Sequence, residues 1–192
     1  MKRTNSKTII LLLSIVIGLV CTYFMSPDAM AKDSMQKDIA DKIIRFHVRA
    51  NSDSDDDQQL KLKVKDEIVK FLTIKLENAT SLDEARNIIY DVKDEIAEIA
   101  LRVIRDNGYE YNVNVYFENA YFPMKMYGDM TFPPGEYEAF RVDIGDACGK
   151  NWWCVLYPPL CFVDSTYSVV PDETKNRFNE VLSDEAYNAI TV

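Results

Sequence analysis

The chain has 192 residues, 47% of them apolar, enough to bury one core and short for two domains. With 31 acidic residues against 22 basic ones its net charge is −9, which argues against nucleic acid and anionic membrane surfaces as partners. It holds one histidine and four cysteines, a thin supply for metal binding or His-based catalysis.

At the N-terminus Lys2, Arg3 and Lys7 precede an apolar run from Ile9 to Met25, followed by Pro27 and the small-x-small pattern Ala29-Met30-Ala31. Residues 1–31 read as a signal peptide, and residues 32–192 as a single extracytoplasmic domain. As a helix the run would span roughly 25 Å at ~1.5 Å per residue, so an uncleaved anchor is the alternative. The cations hold the N-terminal end in the cytoplasm, so the body faces outward in either case. Cys21 follows Val20, where a lipobox needs a small residue, and lipidation is discarded. Removal of residues 1–31 takes away three cations and one anion and moves the net charge from −9 to −11.

In the body, a short helical lead-in from Met35 to Lys42 precedes Ile44-Arg45-Phe46-His47-Val48-Arg49, which alternates apolar and cationic residues as a half-buried strand does. Arg45, His47 and Arg49 then form a basic ladder on the outward face. It is either a solvated face neutralised by the acids that follow or a contact surface. "NSDSDDD" (Asn51 to Asp57) has the alternate aspartates of a calcium loop, Asp53, Asp55 and Asp57. Gln58 and Val64, however, stand where an EF-hand needs glycine and glutamate. The run reads instead as a helix start, with Ser52 or Ser54 as N-cap and the aspartates in the first turn.

Leu60, Val64, Ile68, Phe71, Leu72 and Leu76 form the apolar stripe of one helix. A second runs from the capping box Ser81-x-x-Glu84 to Gly108. Strands follow at Tyr109–Phe117, Phe122–Met126, Phe140–Ile144 and Asn151–Tyr157, with Pro123 and Pro133 marking the second of them as an edge. A final helix centres on Phe178, Val181 and Leu182. The expected fold class is α+β and two-layer: two long helices packed on one face of a mainly antiparallel sheet.

The sequence shows no Gly-rich phosphate loop, nucleophile elbow, HExxH or Cys-x-x-Cys. A Cys154–His47 pair is arithmetically available, but His47 between two arginines would be a poor base. Three cysteines and one histidine lack zinc spacing. Outside the cytoplasm a disulfide is the natural reading. Cys148, Cys154 and Cys161 allow three pairings, and Cys154–Cys161 is favoured because Pro158-Pro159 turns the chain back. Trp152 and Trp153 must point to opposite sides of a strand, so one faces the helices and the other is either an interface anchor or covered by the tail.

Three segments carry a family resemblance: "IRFHVRANSDSDDDQQLKLKVKDEI" (Ile44 to Ile68), "YFPMKMYGDMTFPPGEYEAFRVDIG" (Tyr121 to Gly145) and "NWWCVLYPPLCFVD" (Asn151 to Asp164). In this order they resemble the stage II sporulation protein R family of endospore-forming Firmicutes. The resemblance implies a sporulation signal that is not an enzyme and needs no cofactor. It is exported from the forespore into the space between forespore and mother cell. There it activates a membrane-embedded aspartic protease, stage II sporulation protein GA, which processes the sigma-E precursor in the mother cell. The expected contact surface is Trp152 or Trp153 with Arg45, His47 and Arg49; no small-molecule substrate and no nucleic acid is expected. Two departures stand out. Cys148 makes the thiol count odd, and relatives are expected to continue beyond Val192 with a further apolar segment. The rival readings are a secreted thiol enzyme or redox protein using Cys154, and a structural envelope protein.

Overall fold

The computed structural model describes residues 6–24, 27–161 and 169–191. It opens with α1 (Ser6–Phe24) and α2 (Pro27–Ala40). α1 holds the apolar run, and its large aliphatic side chains from Ile9 to Val20 are exposed. Among the described residues no helix is long and apolar enough to cross a membrane. Met25, at the end of the expected run, lies outside the described residues. Pro27 starts α2 rather than acting only as a breaker, because the first helical position has no intrahelical partner for an N–H.

The body then runs β1 (Ile44–Arg49), α3 (Asp55–Leu76), α4 (Leu82–Asp91), α5 (Lys93–Asp106), β2 (Val113–Phe122), β3 (Lys125–Tyr127), β4 (Met130–Phe132), β5 (Gly135–Ile144), β6 (Asn151–Tyr157), α6 (Asp172–Val181) and α7 (Asp184–Ile190). Ser54 caps α3 by accepting from the Asp57 amide at 3.2 Å, and Ser81 caps α4 through the Glu84 amide at the same distance. The single helix expected from Ser81 to Gly108 is two. Val92 leaves helical geometry at φ −98°, ψ 8°, yet its N–H still reaches the Ile88 carbonyl at 3.2 Å. The apolar stripe therefore passes from α4 to α5, from Ala85 and Ile89 to Ile96, Ile99, Ala100 and Ile104.

The main sheet has the order β2-β5-β1-β6 and is mixed, not mainly antiparallel. β1 runs parallel to β5 and antiparallel to β6, while β2 and β5 are antiparallel. The cause is at the end of β1. The turn after β5 brings the Cys148 and Gly149 amides onto the carbonyls of Asn51 and Ala50 at 3.1 and 3.0 Å, so β1 sits between β5 and β6. Alternation reveals which face a residue takes, but not which strand lies beside it.

Both faces are covered, which corrects the two-layer expectation. On the first face α3, α4 and α5 pack over Phe46, Val48, Phe140, Val142, Cys154 and Leu156. On the second, Ile39 of α2, Phe178 of α6, Ala186 and Ile190 of α7 and Phe132 of β4 pack with Tyr137, Ala139 and Val155. The segment expected as one edge strand divides at Pro123: Phe122 closes β2, and β3 pairs with β4 in a separate two-stranded hairpin. Gly128, at φ 56°, takes the first position of its two-residue turn, where an L side chain would be strained.

Candidate functional site

Register brings the polar residues of the second face into rows. Tyr116, Arg141, His47 and Trp153 form one row across all four strands, and Glu118, Ala139, Arg45 and Val155 the next. Arg45, His47 and Arg49 do share a face, as the alternation requires. They are not the solvent-facing ladder expected: Arg45 is 0% exposed, His47 is 2% exposed and Arg49 is half-buried. β1 is an interior strand whose polar face is roofed by the hairpin and the terminal helices, so alternation here separates two interiors rather than an interior from water.

Arg45 lies among four aromatic rings. Its guanidinium carbon is 4.5 Å from the Phe122 centroid, 5.2 Å from Tyr137, 5.3 Å from Phe132 and 5.9 Å from Tyr127. Nη2 reaches the Tyr127 hydroxyl at 3.5 Å, and no ion pair to it is found among the described residues. Burial disfavours its charge, an effect that Tyr127 and Tyr137 partly oppose.

His47 stacks on Trp153 at 5.1 Å and 12° and meets the tilted ring of Phe122 at 5.3 Å, the three rings packing in mutual contact. Its Nε2 lies 3.2 Å from Glu118 Oε1; since a carboxylate only accepts, Nε2 carries the proton. Burial first and Arg141 second lower its pKa to about 4 against the pull of Glu118, so at neutral pH it is uncharged. Arg141 donates to Glu118 at 2.9 Å and to Asp143 at 2.7 Å, and Tyr116 donates to Asp143 at 2.9 Å. Burial opposes the Arg141 charge, but the two carboxylates outweigh it and raise its pKa. Glu118, Arg141, Asp143 and Tyr116 were not among the expected site residues. Their even spacing in β2 and β5 marks one face, and that face had been assigned to solvent.

Trp152 and Trp153 point to opposite faces, and both are half-buried. Trp152 meets Phe46 edge-on at 5.9 Å on the helical side, with Lys65 Nζ 5.0 Å above its ring. Trp153, on the other side, is covered by Phe122 at 4.7 Å and by Lys125 Nζ at 5.6 Å. Cys154 and Cys161 are disulfide-bonded, with Cα atoms 5.5 Å apart. Cys154 is opposite Phe46 and His47 opposite Trp153, so Cys154 and His47 project from different faces and make no catalytic pair. Phe162 to Asp164, the end of the third resemblance segment, lies outside the described residues.

"NSDSDDD" acts as a clamp as well as a cap. Asn51 Oδ1 accepts from the Asp146 amide at 2.9 Å, and Asp53 Oδ1 from the Lys150 amide at 2.7 Å. Asp57 accepts from Asn51 at 2.9 Å and Ser52 at 2.5 Å. Burial pushes its carboxyl up, but hydrogen bonds from Ser52, Asn51, Tyr111 and Ser54 prevail and hold it below the ordinary range. The run thus stitches the end of β1 and the start of α3 to the β5–β6 turn.

Residues 40–167, which include β1 through β6 and every residue of the buried rows, match the family model for stage II sporulation protein R. The chain belongs to the stage II sporulation protein R family. A curated relative, Stage II sporulation protein R of Bacillus subtilis (strain 168), is 45% identical over 126 residues, covering 66% of this chain and 56% of that protein. The match therefore spans little more than half the relative's length. No solved structure matches. The family segment excludes α1, all of α2 but Ala40, α6 and α7, so part of the roof over the second face is built from chain outside it.

Proposed function

We propose that this chain is an exported sporulation signal with no catalysis of its own. It acts in the space between forespore and mother cell, where it binds the membrane-embedded aspartic protease stage II sporulation protein GA. Binding favours the protease's active form, and the protease then processes the sigma-E precursor in the mother cell. Membership of the stage II sporulation protein R family carries this reading. The apolar α1 behind Lys7 supports export, and the Cys154–Cys161 bond suits a compartment outside the cytoplasm. A ligand shifts its target only by binding the active form more tightly, so the essential property is a surface and not a reaction centre.

Co-expression of this chain, the protease and the sigma-E precursor in a non-sporulating host tests the proposal. Precursor cleavage is expected only when all three are present. Cleavage without this chain, or none with it, overturns the reading.

A further inference from the structure

The β3–β4 hairpin places apolar groups outside and cations beneath. Met124 and Met126 are 66% and 74% exposed, whereas Lys125, Tyr127 and Phe132 lie over Trp153 and Arg45. Under this cover the Nε and Nη1 of Arg45 and the Nδ1 of His47 are buried without a hydrogen-bond partner among the described residues. A guanidinium does not escape burial by losing its proton. Aromatic faces attract a cation and accept N–H groups only weakly, and leaving a buried charge unpaired costs more than they return. The closed arrangement therefore holds an unneutralised cation.

The hairpin's connections suit movement as a unit. Pro123 precedes it and Pro133-Pro134 follow it, removing backbone donors at both junctions. Its strands pair with each other and not with the four-stranded sheet. It is tethered at its turn, where Met130 bridges Thr191 and Asp129 accepts from the Val170 amide and pairs with Lys175.

We infer that the β3–β4 hairpin is a lid, and that lifting it presents Arg45 to a single carboxylate side chain on a peptide segment otherwise free of negative charge, since the chain itself carries a net charge of −9. The open state gains the pairing that the closed state lacks, so such a segment drives opening by differential affinity. One free positive charge suits a singly charged planar carboxylate. His47 is neutral and Arg141 is already paired to Glu118 and Asp143, so a doubly charged tetrahedral anion finds no second cation among them. The inference does not depend on the identity of the activated protease.

A thiol reporter under the lid tests it. Ala139 is fully buried and is the register partner of Arg45. Ala139→Cys is placed in the full chain with the free cysteines Cys21 and Cys148 changed to serine, and its labelling rate is measured under native conditions. Labelling is expected to outpace global unfolding. A short end-capped peptide carrying one glutamate among neutral residues should accelerate it about 5-fold or more, the lower end of ordinary coupling energies. Hexalysine and inorganic phosphate at matched ionic strength should not. Arg45→Met should abolish the response and slow basal labelling about 10-fold, because an apolar chain replaces the unpaired charge. If that variant does not fold, Arg45→Gln takes its place, with loss of the response as its expected result. Labelling only through global unfolding overturns the lid. No acceleration by the glutamate peptide, equal acceleration by phosphate, or a response that survives loss of the Arg45 charge overturns the carboxylate receptor.

Discussion

At the residue scale the sharpest prediction concerns His47. A free histidine takes its proton near ~6.5, whereas His47 in the fold resists until about 4 because burial and Arg141 oppose the charge. As pH falls the unfolded chain is protonated first. The His47 contribution is therefore complete above ~6.5 and is lost through the window down to about 4. By pH 5 the loss is on the order of 2 kcal/mol. His47→Phe keeps the ring contacts with Trp153 and Phe122 and leaves Glu118 paired with Arg141. Urea unfolding at pH 7 and pH 5 should show a smaller difference for the variant than for the native chain. Equal differences would remove His47 from the account. Arg45 is the residue whose setting the sequence concealed: a cation alternating with apolar neighbours reads as solvent-facing, and only the register that puts Ala139 and Val155 on either side shows it to be interior.

At the element scale, the join between β1, α3 and the β5–β6 turn depends on close backbone approach. A Cβ added at Gly149 would lie 2.1 Å from the Ser52 carbonyl oxygen and 2.5 Å from its carbon, both backbone atoms that cannot swing aside. Gly149→Ala should destabilise the fold by about 1–3 kcal/mol, the ordinary cost of overpacking, read as a fall in the urea midpoint. Ser54→Ala removes the α3 cap and should cost about 1 kcal/mol. A Gly149→Ala midpoint equal to that of the native chain would mean that the clamp yields freely. The α3 cap, the start of α4 and the face assignments of β1, β5 and β6 were legible because capping side chains and period-two patterns are local signals. The break at Val92, the parallel β1–β5 pairing and the second helical layer were not. The pairing and the layer are decided by contacts between segments far apart in sequence, such as Cys148 with Asn51, and nothing in the structure explains the break at Val92.

At the scale of the whole molecule, the Cys154–Cys161 bond ties the middle of β6 to the turn that follows it, both on the first-face core. A bond across so short a loop removes little entropy from the unfolded chain, no more than ~3 kcal/mol. The paired change Cys154→Ser and Cys161→Ser should therefore lower thermal stability while leaving the folded architecture in place. The functional consequence separates two kinds of protein. If activation is a binding event, precursor cleavage by the variant should track its folded fraction, and should match the native chain at a temperature where both are fully folded. If a thiol carries out the chemistry, the folded variant should be inert at every temperature. The measurement is cleavage in the three-component host alongside circular dichroism of the purified variant. A folded but silent double-serine chain would move the protein from signal to thiol enzyme.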